Sequence, residues 1–372
     1  SFIWSHLSFS KKVTARNLFR NKYKALMTIV GIAGASALII MGLGIRQSIS
    51  EIMSLQFGGI AKYDGMMIYN PNQKFTPKHQ DIKSALDVRL ESLQLKNPDG
   101  YTIDKLSAII AKDGEDFNKY LTLDKSPTDD GVVITSKIAR IYHVEAGDFL
   151  TLYRNDGVVA AKVKVLGVTR NYVAHYIYLT KTYYEKVWGE DLTDNTYLIK
   201  LKGGINVDEF YQKSLADKAI VQVVRTDKFK KIFDKMLAGM DGLIFVIIAV
   251  SGLLGFVVLY TLTNTNVAER IRELSTLKVL GFYPNEVLGY IFRETFLLTL
   301  VGIFFGIFLG ISLHDYIMSI LLPNIVQSPL GVSLENIVIS TILTLLFALI
   351  VRSLMRRKIN HVDMLESLKS VN

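Results

Sequence analysis

The sequence predicts an α-helical integral membrane protein with four transmembrane helices and a mixed α/β extracytoplasmic domain between the first and the second. Three observations predict it. Half of the 372 residues are hydrophobic while 21% are charged, so apolar and polar residues must be segregated into blocks. Four of these blocks run for the roughly 20 residues that a helix needs to cross a hydrocarbon core of about 30 Å. Lys and Arg gather at alternate ends of the four blocks, the pattern that orients a multi-pass protein.

In chain order, residues 1–24 are read as a cytoplasmic amphipathic lead-in helix carrying Lys11, Lys12, Arg16, Arg20, Lys22 and Lys24. The first span is Ala25 to Ile45. It is preceded by mostly polar residues and not by a short basic region, so no cleavable signal peptide is expected. Residues 46–240 form the outer domain, and 241–262, 287–313 and 334–353 contain the other three spans. Their uncharged runs are Leu243 to Leu262, Thr295 to Leu313 and about Leu334 to Val351. The last is the shortest, with Glu335 and Arg352 at its ends, so tilt or snorkelling is expected there.

Orientation follows from the flanks. Arg270, Arg272, Lys278 and Arg293 lie between the second and third spans, and Arg352, Arg356, Arg357, Lys358 and Lys369 stand at the end of the fourth and in the tail at 354–372. The connection 314–333 has neither Lys nor Arg. Both termini and the segment 263–286 are therefore placed in the cytoplasm, in a multi-pass cell-membrane protein. The net charge of +9 is concentrated near the membrane, because residues 46–240 hold 28 basic against 25 acidic residues. A nucleic-acid partner is disfavoured.

Small residues predict close helix packing. Gly302, Gly306 and Gly310 repeat every fourth position on the third span, and Gly31 with Ala35 does so on the first, which lets backbones approach. Such faces suit either a sliding interface or a static one.

Within the outer domain, short apolar runs alternate with turn dipeptides. Strands are predicted over Tyr63 to Tyr69, from Asp130-Gly131 through Ile134, over Phe149 to Tyr153, Val158 to Val168, Ala174 to Leu179 and Thr196 to Lys202. Asn155-Asp156-Gly157 marks a hairpin. Ser136 is placed as the cap of a short helix to Tyr142, and a second helix is expected at Lys181 to Val187. Over 226–240, Phe229, Ile232, Phe233 and Met236 recur at helical spacing among lysines, which predicts an amphipathic stalk leading into the second span. A helix lying on the membrane surface fits the same pattern.

No catalytic or metal-binding constellation is visible. The six histidines never stand at metal-ligand spacings, there is no Gly-x-Ser-x-Gly elbow, and there are no cysteines, which removes disulfides and thiolate chemistry. His143 and His175 are read as ordinary surface or edge residues. The absence of cysteine also fits a Gram-positive exterior.

After the second span, residues 264–282 read as a charged helix with Val267, Ile271, Leu274 and Lys278 on one side and Gly281 as its stop. It could dock into a cytoplasmic partner or be a solvated loop. At these residues the sequence resembles the FtsX-like (FtsX/MacB-type) permeases of ABC transporters. Glu269, Arg270, Glu273, Leu280, Gly281 and Glu294 match the family's loop pattern of Glu-Arg-x-x-Glu-hydrophobic, Leu-Gly and a following Glu. Arg16 to Arg20 resembles its opening segment, Gly131 to Ile134 through Ala139 to Gly147-Asp148 its outer-domain signature, and Met364 to Lys369 its ending.

The resemblance implies a permease that is not itself an enzyme. A cytoplasmic ABC ATPase dimer would bind ATP and magnesium, since this chain has no Gly-x-x-x-x-Gly-Lys-Ser/Thr loop. Glu269, Arg270, Arg272, Glu273, Leu277, Lys278 and Gly281 would couple to that dimer, and mechanical transmission to the outer domain would replace transport through a central pore. Further expected partners are a second permease half, membrane lipid and an extracellular protein or peptide ligand. The opening stretch also resembles the middle of long two-half Gram-positive permeases, so the chain is expected to be the C-terminal half of one. Three functions remain open: efflux or extraction of a peptide, antibiotic or lipid-like substrate; regulation of an extracellular cell-wall hydrolase; and a four-span sensor or scaffold without an ATPase.

Overall fold

The computed structural model describes residues 20, 22–73, 80–96, 102–154, 160–269, 284–322, 326–329 and 331–360. The chain folds into two compact units, residues 1–48, 239–321 and 330–372 in one and 49–238 with 322–329 in the other.

The first unit is helical. Among the described residues its helices are α1 (Lys22–Ser54), α5 (Thr226–Glu269), α6 (Pro284–Leu321) and α7 (Leu334–Asn360), of which α1 and α5 each run on into the second unit. All four are long and apolar enough to cross a membrane. Each extends beyond its uncharged run, because a backbone ladder once started continues through charged residues that the hydrocarbon would reject. Helix α6 reaches Leu321, so the connection predicted over 314–333 is helical through its first residues. Inside the unit, Ile32, Leu259, Phe292, Ile303 and Val351 are buried against one another. Many outward-facing positions, among them Phe245, Leu253, Phe304 and Phe308, are apolar and exposed. A helix apolar on all sides is what a lipid surround requires.

The second unit, among the described residues, holds nine strands, β1 (Gly65–Tyr69), β2 (Ile82–Lys96), β3 (Thr102–Ala111), β4 (Val132–Thr135), β5 (Phe149–Arg154), β6 (Ala160–Thr169), β7 (Tyr176–Thr180), β8 (Thr196–Leu201) and β9 (Ile220–Arg225). Between them lie α2 (Ser136–Tyr142), α3 (Lys181–Trp188) and α4 (Val207–Leu215). The strand order is β3-β7-β4-β6-β5-β2-β8-β1-β9, with a further pairing of β3 to β2. That pairing closes six strands, β2, β3, β7, β4, β6 and β5, into a ring, which removes their free edges. The long β2 serves two assemblies: Arg89–Lys96 pairs β3, and Ile82–Val88 pairs β8. Residues Leu93, Leu106, Val132, Ile134, Leu152, Val163, Val165 and Ile177 fill the ring's interior core. Strand β6 alternates exposed and buried along Ala160–Val165, the period of 2 that a one-sided core dictates.

Three details of this unit depart from the sequence reading. Thr135, not Ser136, is the residue before α2, and it makes no side-chain cap; the Ser136 hydroxyl donates instead to Gln327 Oε1 at 2.9 Å. His175 is buried at 3% exposure, and its carbonyl accepts from Ser107 N. Strands β2, β3 and β9 and helix α4 have no counterpart among the predicted elements. The predicted hairpin strands β5 and β6 do pair antiparallel, while its turn at 155–157 lies outside the described residues. Gly147 takes φ +106°, a backbone region open to glycine. Its N–H donates to Val165 O at 2.8 Å, and Val165 N–H donates to Asp148 O at 2.8 Å.

Candidate functional site

In the helical unit, the third-span glycines lie against α1. A Cβ on Gly302 would stand 2.8 Å from Ile32 Cβ, one on Gly306 2.8 Å from Ser36 Cβ, and one on Gly310 2.8 Å from Ile40 Cβ. Three glycines four residues apart therefore meet three α1 residues four residues apart, each at a distance only hydrogen can occupy. The small residues of α1 face α5 instead. A Cβ on Gly31 would reach Val258 Cγ2 at 2.8 Å, and Ala35 Cβ lies 3.4 Å from where Gly255 would carry one. The predicted packing residues thus place α1 between α5 and α6. Ser340 Oγ of α7 donates to Ser36 O at 3.2 Å, which brings in the fourth helix.

Helix α1 is ion-paired to α5 at two points, Lys24 with Glu269 and Arg46 with Asp241. The two cations are separated by roughly 33 Å of helix at 1.5 Å per residue, about one hydrocarbon thickness. All four side chains are about half exposed, so each pair would contribute at most about 1 kcal/mol in water. Glu269 is the one predicted coupling residue within the described chain, at the last turn of α5. Arg270, Arg272, Glu273, Leu277, Lys278 and Gly281 lie outside the described residues, as do the lead-in segment 1–19 and the tail 361–372.

Sequence reasoning missed a buried polar group near the other end of α1. His314, 1% exposed, has Nε2 3.0 Å from Ser48 Oγ and Nδ1 2.9 Å from Asp315 Oδ1. Gln47 Oε1 accepts from Asn336 Nδ2 and Ser333 N. A His-Asp pair closing an uncharged run was the available signal, and so was the charge reciprocity of Lys24, Arg46, Asp241 and Glu269 at the ends of spans one and two.

The second unit holds three stretches of chain that lead into or out of helices of the first. Residues 55–60 form a π-helical turn, within which Gln56 is buried and its Oε1 accepts from Tyr172 N at 2.8 Å and Val173 N at 3.2 Å. At the start of α5, Arg225 is 7% exposed, pairs with Asp208 at 2.6 Å and Asp227 at 2.7 Å, and lies 4.8 Å over the Tyr211 ring. That guanidinium holds the Asp227 carboxyl below its ordinary range. Residues 326–329 form the third stretch. Val326 bridges to Val173, Gln327 N donates to Tyr172 O at 2.9 Å, and Lys137 Nζ donates to Val326 O at 2.6 Å. Burial, helped by nearby Arg140, pulls the Lys137 pKa down. Both Gln56 and the 326–329 segment are fixed through residues 172–173. Ala174, next in the chain, sits in the left-handed region at φ +66°, with Asn171 Nδ2 donating to the Val173 and Ala174 carbonyls at 2.6 and 2.8 Å.

No group of three or more His, Asp or Glu that could hold a metal occurs among the described residues. Apart from the buried Ser48–His314–Asp315 chain, the polar groups described are ion pairs and hydrogen bonds between helices and strands, which can fasten elements and transmit force.

Residues 245–364 match the family described as FtsX-like permease C-terminal. The chain carries an FtsX-like permease domain. This FtsX-like domain takes in most of the span portion of α5, all of α6 and α7, and the 326–329 segment. The glycine face of α6 and the end of α5 at Glu269 both belong to it, whereas α1 and strands β1 to β9 precede it. Among solved structures, the periplasmic region of MacB from Actinobacillus actinomycetemcomitans is similar at a TM-score of 0.30 and 14% identity, over 49% of this chain and 97% of that one. No curated protein matches the chain.

Proposed function

We propose that this chain is the membrane subunit of an ABC transporter, coupling ATP hydrolysis by a separate cytoplasmic ATPase dimer to movement of its outer domain. The FtsX-like domain over 245–364 carries the reading. Helix α5 supports it, because one uninterrupted helix, Thr226–Glu269, joins the turn anchored by Arg225 to the start of the predicted coupling segment. An α-helix resists bending because each turn is bonded to the next, so a displacement applied at Glu269 is carried along its length. The α1–α6 face, made tight by glycines, is the surface along which such a displacement would repack.

In this reading both termini and 263–286 face the cytoplasm, and 46–240 faces outward. The work done outside is expulsion or extraction of a peptide, antibiotic or lipid-like molecule, and a second permease half covers the exposed apolar helix faces. Substituting Glu273→Ala in the coupling segment is expected to lower co-purification of the ATPase subunit from mild-detergent extracts by about tenfold, the scale of losing one hydrogen-bonded charge at an interface. Co-purification and ATP turnover both equal to those of the unchanged chain would contradict the coupling role.

A further inference from the structure

Near the start of α6 and the end of α7, in the helical unit, a cavity of about 450 Å³ opens between the two helices. One side is apolar, formed by Phe296, Leu345 and Leu349, and Arg293 and Arg352 also line it. Arg352 lies 5.7 Å over the Phe292 ring, which orients its guanidinium without neutralising it. Thr295, 4% exposed, lines the same cavity, and its Oγ1 has no hydrogen-bond partner among the described residues. Glu294 is buried beside it but does not line the space. A buried hydroxyl without a partner costs free energy unless a ligand or solvent meets it.

These features select an amphipathic anion. Two guanidinium groups match the oxygens of a phosphate diester, the hydroxyl offers one more donor, and the apolar wall suits an acyl chain. A soluble anion would leave that wall wet, and a zwitterionic lipid would bring its own cation up to the Arg352 guanidinium. We propose that the α6–α7 cavity binds one anionic phospholipid, with its phosphate on Arg293 and Arg352 and an acyl chain along Phe296 and Leu349. The proposal rests on α6 and α7 being membrane spans.

The test uses the purified full chain in detergent, stripped of lipid, with retained dioleoylphosphatidylglycerol counted by native mass spectrometry. Arg293→Gln with Arg352→Gln is expected to cut retention about tenfold, at roughly a factor of several per arginine. Leu345→Trp, which fills the cavity and keeps both charges, should cut it comparably. Dioleoylphosphatidylcholine should be retained weakly by every variant, and glycerophosphoglycerol, the headgroup without chains, should not displace the lipid. Equal retention by the double arginine variant, equal retention of the choline lipid, or displacement by the bare headgroup would each overturn the site. Release of the protein from membranes by alkaline carbonate would instead overturn the span reading, so the two failures are distinguishable.

Discussion

Gly306 shows what a single side chain decides here. Its missing Cβ leaves room for Ser36 Cβ, and Ala33 O lies 3.0 Å from the same point, so neither neighbour is the flexible end of a long side chain that could swing away. Gly306→Leu is expected to destabilise the solubilised protein by about 1–3 kcal/mol, the usual cost of overpacking, seen as a lower thermal midpoint. An unchanged midpoint would mean that the α1–α6 contact is loose. Arg225 decides a different matter. Because its charge depresses the Asp227 pKa in the folded state, Asp227 contributes stability above its unfolded pKa near 4, and that stability is lost as pH falls through the lower folded value. Arg225→Met should lower the unfolding midpoint at pH 7 and flatten the loss of stability below about pH 4, measured by denaturation across pH; identical acid slopes would refute the linkage. The sequence showed Gly302, Gly306 and Gly310 because a spacing of four within an uncharged run is visible without coordinates. It could not show Arg225, whose partners Asp208 and Asp227 look in sequence like any other surface acids.

Helices were legible where physics leaves a long local trace. About twenty residues without charge leave few alternatives, so all four apolar blocks could be placed, whereas their ends could not, since Lys22 and Glu269 are good helix formers outside the hydrocarbon. Strands β5, β6, β7 and β8 were legible from apolar runs between turn residues. Strand β2 was not, because Lys83, Asp87, Arg89 and Glu91 interrupt it and only its pairing with β3, β5 and β8 makes it a strand. Closure of the six-strand ring depends on partners far apart in sequence and left no local signal. Helix α5 offers the sharpest test at this scale. Gly239 lies in its interior with open space where a Cβ would go, so Gly239→Ala should be tolerated and slightly favour the helix. Gly239→Pro removes a backbone bond and kinks the helix at a cost of about 3 kcal/mol. The proline variant is expected to keep its ATPase partner yet lose ATP-dependent changes in protease sensitivity of residues 49–238. Preserved ATP-dependent changes would show that α5 need not be continuous.

At the scale of the whole molecule, the helical unit is packed through glycines, and the second unit holds the chain leaving α1, the chain entering α5 and the 326–329 segment through Gln56, Arg225 and Lys137. The coupling segment itself was read from Glu269, Glu273 and Gly281 by family likeness, and the FtsX-like match spans it. The grips of Gln56 and Lys137 were invisible in sequence because each joins a side chain to a backbone group far away in the chain, and that of Arg225 because it reaches Asp208 on α4 as well as its near neighbour Asp227. The chain contains no cysteine, so one introduced thiol reports without background. The most direct measurement is the labelling rate of Ser328→Cys by a membrane-impermeant maleimide, in the intact complex in lipid bilayers, with and without ATP. The account predicts a rate that changes on ATP addition and stays constant when the partner ATPase carries an inactivated phosphate loop. The same rate with and without ATP, in a complex whose ATPase is turning over, would contradict it.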